Sequence, residues 1–119
     1  MIRKICKAID LKEDQELIKA YQNFHKPGNV PSDVLRSIQD EGFVSMEIYR
    51  VDNRLFMLAM IDDKLATASG PEKKSSVVIE WDRQMSQLQL PLKNHESWCD
   101  MQKIFDLSEH TELLNKETP

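Results

Sequence analysis

A tyrosine and a histidine four residues apart are the residues of this sequence best suited to chemistry. Tyr21 and His25 lie in a segment where Leu17 and Phe24 recur at helical spacing, so the phenol and the imidazole share one face of a predicted helix. His25 falls in the last turn, where the helix dipole favours the imidazolium, and histidine titrates near neutrality. The pair therefore has the groups needed to exchange protons with a hydroxyl of a small ligand, although ordinary helix packing explains the same spacing.

The composition bounds the size and the partners of the protein. A chain of 119 residues with 40% hydrophobic residues is enough for one domain. The net charge of −4, with both signs interspersed, argues against nucleic acid or a membrane surface as a partner. Because the sequence shows neither a signal peptide nor a stretch long enough to cross a bilayer, we expect a cytoplasmic protein. Cys6 and Cys99 are predicted to be thiols, and the spacing of His95 and His110 predicts no metal site.

The elements that position the pair follow from apolar periodicity and turn residues. Pro27-Gly28 closes the first helix, and Asp52-Asn53 joins two strands rich in Val, Ile, Tyr, Phe and Met. Residues 62–74, with Gly70-Pro71, read as a loop. In chain order we predict a strand at 3–11, a helix at 14–25, a second helix opened by 31–33, hairpin strands at 43–51 and 54–61, a helix before Pro91 carrying Val78, Trp81, Met85 and Leu88, and an apolar segment at 98–107 that ends in a strand.

This order of elements is the split β-α-β-β-α-β order of a ferredoxin-like α+β domain, with helices on one face of an antiparallel sheet. We expect a single domain at residues 1–107 and a charged tail with little to bury at 108–119. The other sheet face needs a cover, and for so short a chain the simplest cover is the same face of a second copy. The sequence therefore predicts a homodimer, with a ligand cleft between the sheet and the helices of each protomer.

Several motifs, in order along nearly the whole chain, carry a resemblance to a known family: Met1-Ile2-Arg3-Lys4, Tyr21-Gln22-x-x-His25-x-Pro27, Ile48-Tyr49, Leu55-Phe56, Trp81 with Met85, and Phe105-x-Leu107. Together they resemble the L-rhamnose mutarotases, small cytoplasmic isomerases that interconvert the α and β anomers of 6-deoxy-L-hexoses. The resemblance implies a dimeric α/β barrel of ferredoxin-like protomers and no metal or organic cofactor. It also implies that His25 is the acid and that Tyr21 binds the substrate.

The sequence departs from the family at two site positions. Met46 stands where the rhamnose enzymes have a sugar-contacting hairpin tyrosine, and Trp81 is followed by Asp82 where they have a second tryptophan. The run Ile79-Glu80-Trp81-Asp82, followed by Met85, resembles a branch associated with L-fucose. The resemblance thus gives Met46, Trp81 and Asp82 as substrate-binding positions.

Mutarotation suits these residue types, because the ring oxygen must gain a proton while the anomeric hydroxyl loses one. His25 is expected to protonate the ring oxygen, and Tyr21 to bind a hydroxyl or relay the proton. Glu80 and Asp82 point in different directions on a helix, and Asp82, at the family's ligand position, is the expected acceptor. Trp81 offers a flat apolar face to the sugar, although a core position is the alternative reading.

Two classes of function stay open at the level of sequence. The first is a mutarotase acting on L-rhamnose or L-fucose. The second is a ligand-binding or cofactor-free oxidizing dimer, because unrelated functions share the ferredoxin-like fold. A mutarotase needs hydroxyl-directed polar groups around one aromatic face, whereas an oxidizing relative needs a larger and drier cavity. Tyr21, His25 and Asp82 favour the mutarotase.

Overall fold

The structure is a computed structural model, and residues 2–67 and 74–117 are described below. The Gly70-Pro71 part of the predicted loop lies outside these ranges. The helices and strands, in chain order, are β1 (Ile2–Leu11), α1 (Gln15–Phe24), α2 (Ser32–Asp40), β2 (Phe43–Val51), β3 (Arg54–Asp62), a 3-10 turn (Asp63–Leu65), α3 (Ser76–Leu88), β4 (Gln89–Leu90), β5 (Cys99–Asp100) and α4 (Leu107–Glu117).

The strands form one antiparallel sheet in the order β2-β3-β1-β4, and the short β5 also pairs with β1. In the register of β1 and β3, Ile9 lies opposite Leu55 and Ala8 opposite Phe56. Because side chains alternate along a strand, each such row commits its residues to one face of the sheet. The predicted ferredoxin-like α+β fold is confirmed.

The β2–β3 hairpin turns at Asp52 and Asn53, as the sequence predicts. Asp52 has φ +51°, a backbone conformation that Asn and Asp tolerate better than most residues. Asn53 also ties this turn to the end of β1, since its side-chain amide donates to the Leu11 carbonyl oxygen at 2.9 Å. The Leu11 N–H donates in return to the Asn53 carbonyl oxygen at 2.6 Å. The turn therefore helps to fix the register on which the core depends.

Side-chain caps set the start of the helices that carry the candidate site. The Asp14 carboxylate accepts hydrogen bonds from the N–H groups of Glu16 and Leu17, at 2.9 and 3.3 Å, at the start of α1. The Ser75 hydroxyl accepts from the Val78 N–H at 3.3 Å and begins α3. These contacts satisfy amide groups that have no partner within the helix. α1 ends at its C-cap residue, His25.

The core lies on the face of the sheet that the helices cover. Ile9, Leu11 and Leu55 are the largest side chains with almost no exposure. They pack with side chains of α1 and α3, and the buried members of this cluster are Ile9, Leu11, Ile18, Tyr21, Leu55, Met85 and Leu88. Of the stripes predicted from helical spacing, Tyr21, Met85 and Leu88 are buried in this cluster, whereas Leu17, Phe24 and Trp81 are partly buried against it.

On the opposite face of the sheet, several apolar side chains of the described strands are exposed. Tyr49 lies on this face opposite Phe56 and is 54% exposed, while its neighbour Ile48 packs against the core on the covered side. Val51 and Leu58 are also exposed hydrophobic residues. The sequence therefore predicted the two unlike faces, and the uncovered one is unusually apolar for a solvent-facing surface.

The C-terminal segment differs from the expectation of a closing strand at its end. β5 pairs with β1 through Cys99 and Asp100 only, and the Met101 N–H donates to the Cys6 carbonyl oxygen at 2.8 Å before the chain leaves the sheet. Ile104, in the following segment, is 90% exposed. The predicted tail contains α4, whose described side chains are exposed. The apolar residues of this segment predicted burial and a strand at its end. A pattern of apolar residues does not show which surface they pack against.

Candidate active site

Helix α1 brings Tyr21 and His25 into direct contact. Their rings stack with centroids 4.2 Å apart and an interplanar angle of 27°. The His25 Nδ1 lies 2.7 Å from the Tyr21 carbonyl oxygen, and because a carbonyl only accepts, Nδ1 carries a hydrogen there. The other nitrogen, Nε2, is then the atom of His25 that can gain or release a proton.

Trp81 of α3 joins this pair from the neighbouring helix. Its ring meets His25 edge to face, with centroids 5.3 Å apart and an angle of 65°. Phe24 packs against the same indole at 6.1 Å and 80°. Edge-to-face contacts of this kind are favourable arrangements of aromatic rings. The half-buried imidazole is therefore held between the two helices by ring contacts on two sides.

The Tyr21 phenol is buried more deeply than its neighbours. Its residue is only 4% exposed and belongs to the core cluster. Burial raises the pKa of Tyr21 to about 12, and a hydrogen bond with the Gln89 side chain offsets part of that rise. The hydroxyl is thus neutral at ordinary pH. The hydroxyl contacts Gln89 at the end of α3. Tyr21 therefore packs against the His25 ring from within the core and is not open to solvent.

A cleft of about 330 Å³ opens beside Trp81, between α3 and the start of α2. This volume is at the lower end of the range for small-molecule sites, which suits a monosaccharide. The cleft is bordered by one face of α3, because residues at i, i+3, i+4 and i+7 lie along one side of a helix. Its lining residues are Pro31, Ser76, Val77, Glu80, Trp81 and Gln84.

The two carboxylates beside Trp81 lie in different surroundings. Glu80 lines the cleft and forms a two-pronged ion pair with Arg83, in which Nε donates to Oε2 at 2.9 Å and Nη2 contacts Oε1. The hydrogen bond from Arg83 holds the pKa of Glu80 below its usual value. The Asp82 side chain is 56% exposed and lies 3.3 Å from the Lys74 Nζ. Neither Asp82 nor the Tyr21–His25 pair is among the residues that line the cleft, and Trp81 is the residue that both borders the cleft and contacts His25.

Met46 is placed by the sheet rather than by the helices. It lies opposite the fully buried Ala59 in the β2–β3 pairing and, like Ile48, points to the covered face. Of the predicted site residues, the structure thus brings Tyr21, His25 and Trp81 together through ring contacts. It leaves Met46 on the sheet and turns Asp82 toward Lys74.

Comparison with known proteins identifies the family. Residues 4–107 match the family described as L-rhamnose mutarotase. The chain belongs to the L-rhamnose mutarotase family. The family assignment confirms the predicted class of activity, because its members are isomerases that act on carbohydrates.

Individual members are similar over most of the chain. An L-fucose mutarotase of Xanthomonas campestris pv. campestris is 29% identical in an alignment of length 113 that covers 91% of this chain and 90% of that protein. A UPF0734 protein of Dictyostelium discoideum is 29% identical in an alignment of length 115 that covers 88% of this chain and 90% of that protein. The crystal structure of the L-rhamnose mutarotase FA22100 from Formosa agariphila superposes with a TM-score of 0.61 at 17% identity, covering 87% of this chain and 97% of the other. That likeness supports the mutarotase fold.

Two glutamines near the ends of the site were not predicted from the sequence. Gln89 and Gln84 were not singled out, although Gln84 lies at i+4 from Glu80 on the helix face that carries Trp81. The i+3 spacing from Trp81 points to Gln84, whereas Gln89 lies beyond the helix and gives no such signal.

Among the described residues, no helix has the length and apolar character needed to cross a bilayer.

Proposed function

We propose that the protein interconverts the α and β anomers of a 6-deoxy-L-hexose, either L-rhamnose or L-fucose, by acid–base ring opening with His25 as the proton donor. The family match supports the reaction, and the L-fucose mutarotase relative supports the wider choice of sugar. Both sugars carry a 6-methyl group and differ in the configuration of ring hydroxyls. A cytoplasmic location remains a prediction from the sequence.

The observation that carries the proposal is the fixed orientation of the imidazole. The Tyr21 carbonyl oxygen holds Nδ1–H, so Nε2 is free to exchange a proton, and Trp81 lies against the ring of His25. An imidazole held in this way can donate a proton to an oxygen of a bound sugar. An indole face beside it offers an apolar surface for the ring carbons and the methyl group of a sugar.

Each step then follows from proton transfers. His25 Nε2–H donates to the ring oxygen while a base takes the proton of the anomeric hydroxyl, and the C1–O5 bond breaks to leave an open-chain aldehyde. Rotation about the C1–C2 bond presents the other face of the carbonyl. The hydroxyl on C5 adds to it and returns its proton to His25, while the base gives its proton to the carbonyl oxygen, so that the C1–O5 bond and the anomeric hydroxyl form again in the opposite anomer. The net reaction consumes no co-reactant.

The substrate contacts of Tyr21 and Met46 remain proposals that rest on the family resemblance, and Tyr21 also stacks on His25 and orients it. The resemblance gives Asp82 as well, although Asp82 does not line the cleft. Trp81 is better supported, because it borders the cleft and also contacts His25.

The test is saturation-transfer proton NMR of the anomeric signals of L-fucose and L-rhamnose with catalytic amounts of protein. We expect exchange faster than in an enzyme-free control, and a loss of about 100-fold or more in His25→Gln, the usual size of an acid–base contribution. His95→Gln is the matched control, since His95 is an exposed histidine in a loop. Absence of acceleration for both sugars would refute the reaction. Full activity in folded His25→Gln would refute the role of His25.

The proposal includes a homodimer formed through the uncovered face of the sheet. Two surfaces of the described residues expose apolar side chains: this face, with Tyr49 and Leu58, and the segment after β5, with Ile104. A symmetric dimer covers such surfaces of both copies at once. Light scattering on a sizing column should give twice the chain mass of 13.9 kDa.

A charge on the uncovered face should dissociate this dimer. Leu58→Glu is expected to give a monomer, whereas Ile79→Glu, on the solvent side of α3 and also exposed, should leave the mass unchanged. A wild-type protein that stays monomeric, or a Leu58→Glu variant that stays dimeric, would contradict the proposed interface.

A further inference from the structure

The face of α3 that borders the cleft beside Trp81 is partly polar. Glu80 and Gln84 lie one helical turn apart and both line the cleft with the indole. Val77, on the same face of α3, and Pro31, before α2, contribute apolar surface. A flat aromatic surface next to a row of hydrogen-bonding groups matches a sugar ring, which has apolar C–H faces and an equatorial rim of hydroxyls.

The Glu80 carboxylate is held in place on this face. The planar guanidinium of Arg83 contacts both of its oxygens, and Gln84 also hydrogen-bonds to it. An ionised carboxylate has about four acceptor positions, so these neighbours leave acceptor capacity for further donors. A carboxylate fixed in this way is pre-organised to receive hydroxyl hydrogens without losing side-chain freedom on binding.

Asp82 differs from Glu80 in its place on the helix. It lies about 200° around the helix axis from Glu80, two residues along the chain. Both carboxylates are about half exposed, 56% for Asp82 and 50% for Glu80, and each has an ion-pair partner, but Asp82 pairs with Lys74 and does not line the cleft. Asp82, at the family's ligand position, is therefore next to Trp81 in sequence but does not line the cleft that Trp81 borders.

We propose that Glu80, rather than Asp82, is the carboxylate that binds the ring hydroxyls of the sugar, and that it sets the preference between L-fucose and L-rhamnose. The inference rests on the proposed mutarotase function and adds a specificity-determining residue to it. A carboxylate that accepts from two neighbouring hydroxyls discriminates by configuration, because inverting one hydroxyl removes a hydrogen bond and leaves the acceptor unpaired.

The experiment compares Glu80→Gln and Asp82→Asn with wild type by saturation-transfer NMR over a range of concentrations of each sugar, which separates kcat from KM. For Glu80→Gln we expect KM for the preferred sugar to rise about 10-fold to 100-fold, the usual effect of losing a hydrogen bond to a charged group. We expect kcat to change by less than about threefold, because uniform binding is lost rather than the proton transfer. The ratio of the kcat/KM values for the two sugars should move towards 1. Glu96→Gln, at an exposed loop position, is the control.

The outcomes separate this inference from the proposed function. Inactive wild type refutes the mutarotase and with it the role of Glu80. Active wild type with an unchanged KM in Glu80→Gln overturns the role of Glu80 alone, as does a rise in KM confined to Asp82→Asn. A fall in kcat at unchanged KM would also overturn it, since that result assigns Glu80 to the chemical step. If Glu80→Gln unfolds, Glu80→Asp keeps the charge one methylene shorter and should raise KM by a smaller factor.

Discussion

The buried phenol of Tyr21 makes a quantitative prediction about alkaline stability. Its pKa is about 12 in the folded protein, because burial disfavours the phenolate, against about 10 in an unfolded chain. The folded state thus holds this proton to higher pH than the unfolded state does. The contribution to stability is fully present below about pH 10 and is lost between about pH 10 and 12. Two units of pKa at 1.36 kcal/mol each give a total of about 3 kcal/mol.

The measurement needs a protein in which Tyr21 is the only tyrosine. The chain has two, and Tyr49 lies on the face proposed for the dimer, so both proteins carry Tyr49→Phe and one also carries Tyr21→Phe. Urea unfolding of each, at one protein concentration, is compared at about pH 9 and about pH 11.5. Lysines that titrate in this range act equally in both proteins. The protein that retains Tyr21 should lose about 2 kcal/mol more than its partner between the two pH values.

Two results would refute this reasoning. One is a parallel loss of stability in both proteins, which would show that the phenol has the same pKa in the folded and unfolded states. The other is phenolate absorbance that appears near pH 10 while the protein is still folded. At neutral pH, Tyr21→Phe should cost about 1 kcal/mol, since Gln89 loses its partner.

Two pairs of variants test the backbone and the core by urea unfolding. Gly42→Ala should cost more than about 2 kcal/mol, because φ is +97° and the new Cβ would meet the Asp62 carbonyl oxygen at 2.7 Å. Gly28→Ala should cost about 1 kcal/mol, since φ is +89° but the space is open; equal costs would contradict the steric argument. Ile9→Ala should cost about 2–5 kcal/mol at a position with no exposure. Exposed Ile79→Ala should stay within about 0.5 kcal/mol, and a comparable loss there would contradict the assigned core.

The fold was predictable where local chemistry and periodicity agree. The hairpin follows from residues 52 and 53 between two runs of β-forming residues, and the turn forms there. The end of α1 follows from Pro27-Gly28, and its C-cap is His25. The segment after Cys99 was less predictable, because its pairing depends on which edge of β1 remains available and not on its own pattern. Periodicity in the sequence shows which face of a helix or strand is apolar, but not which part of the protein that face packs against.

The candidate site was predictable in part for the same reason. Tyr21 and His25 belong to one helix, so their contact follows from spacing alone. The contact of His25 with Trp81 joins two helices that are far apart in the chain, and only the family resemblance pointed to it. The choice between Glu80 and Asp82 depended on which side of α3 faces the cleft, and neighbouring positions in sequence lie about 100° apart on a helix. A match to a family position therefore does not determine which of the two carboxylates faces the cleft.

The rotation of α3 explains why its two faces serve different purposes. Met85 and Leu88 are buried with the core side chains of the sheet, while Glu80 and Gln84 border the cleft. Trp81 lies at the boundary between these faces: it packs against the core cluster and also lines the cleft. Core packing therefore fixes the indole, and the indole in turn holds the imidazole of α1 and shapes the cleft. The same side chain therefore packs as a core residue and borders the cleft, and its contact with the sugar stays a prediction.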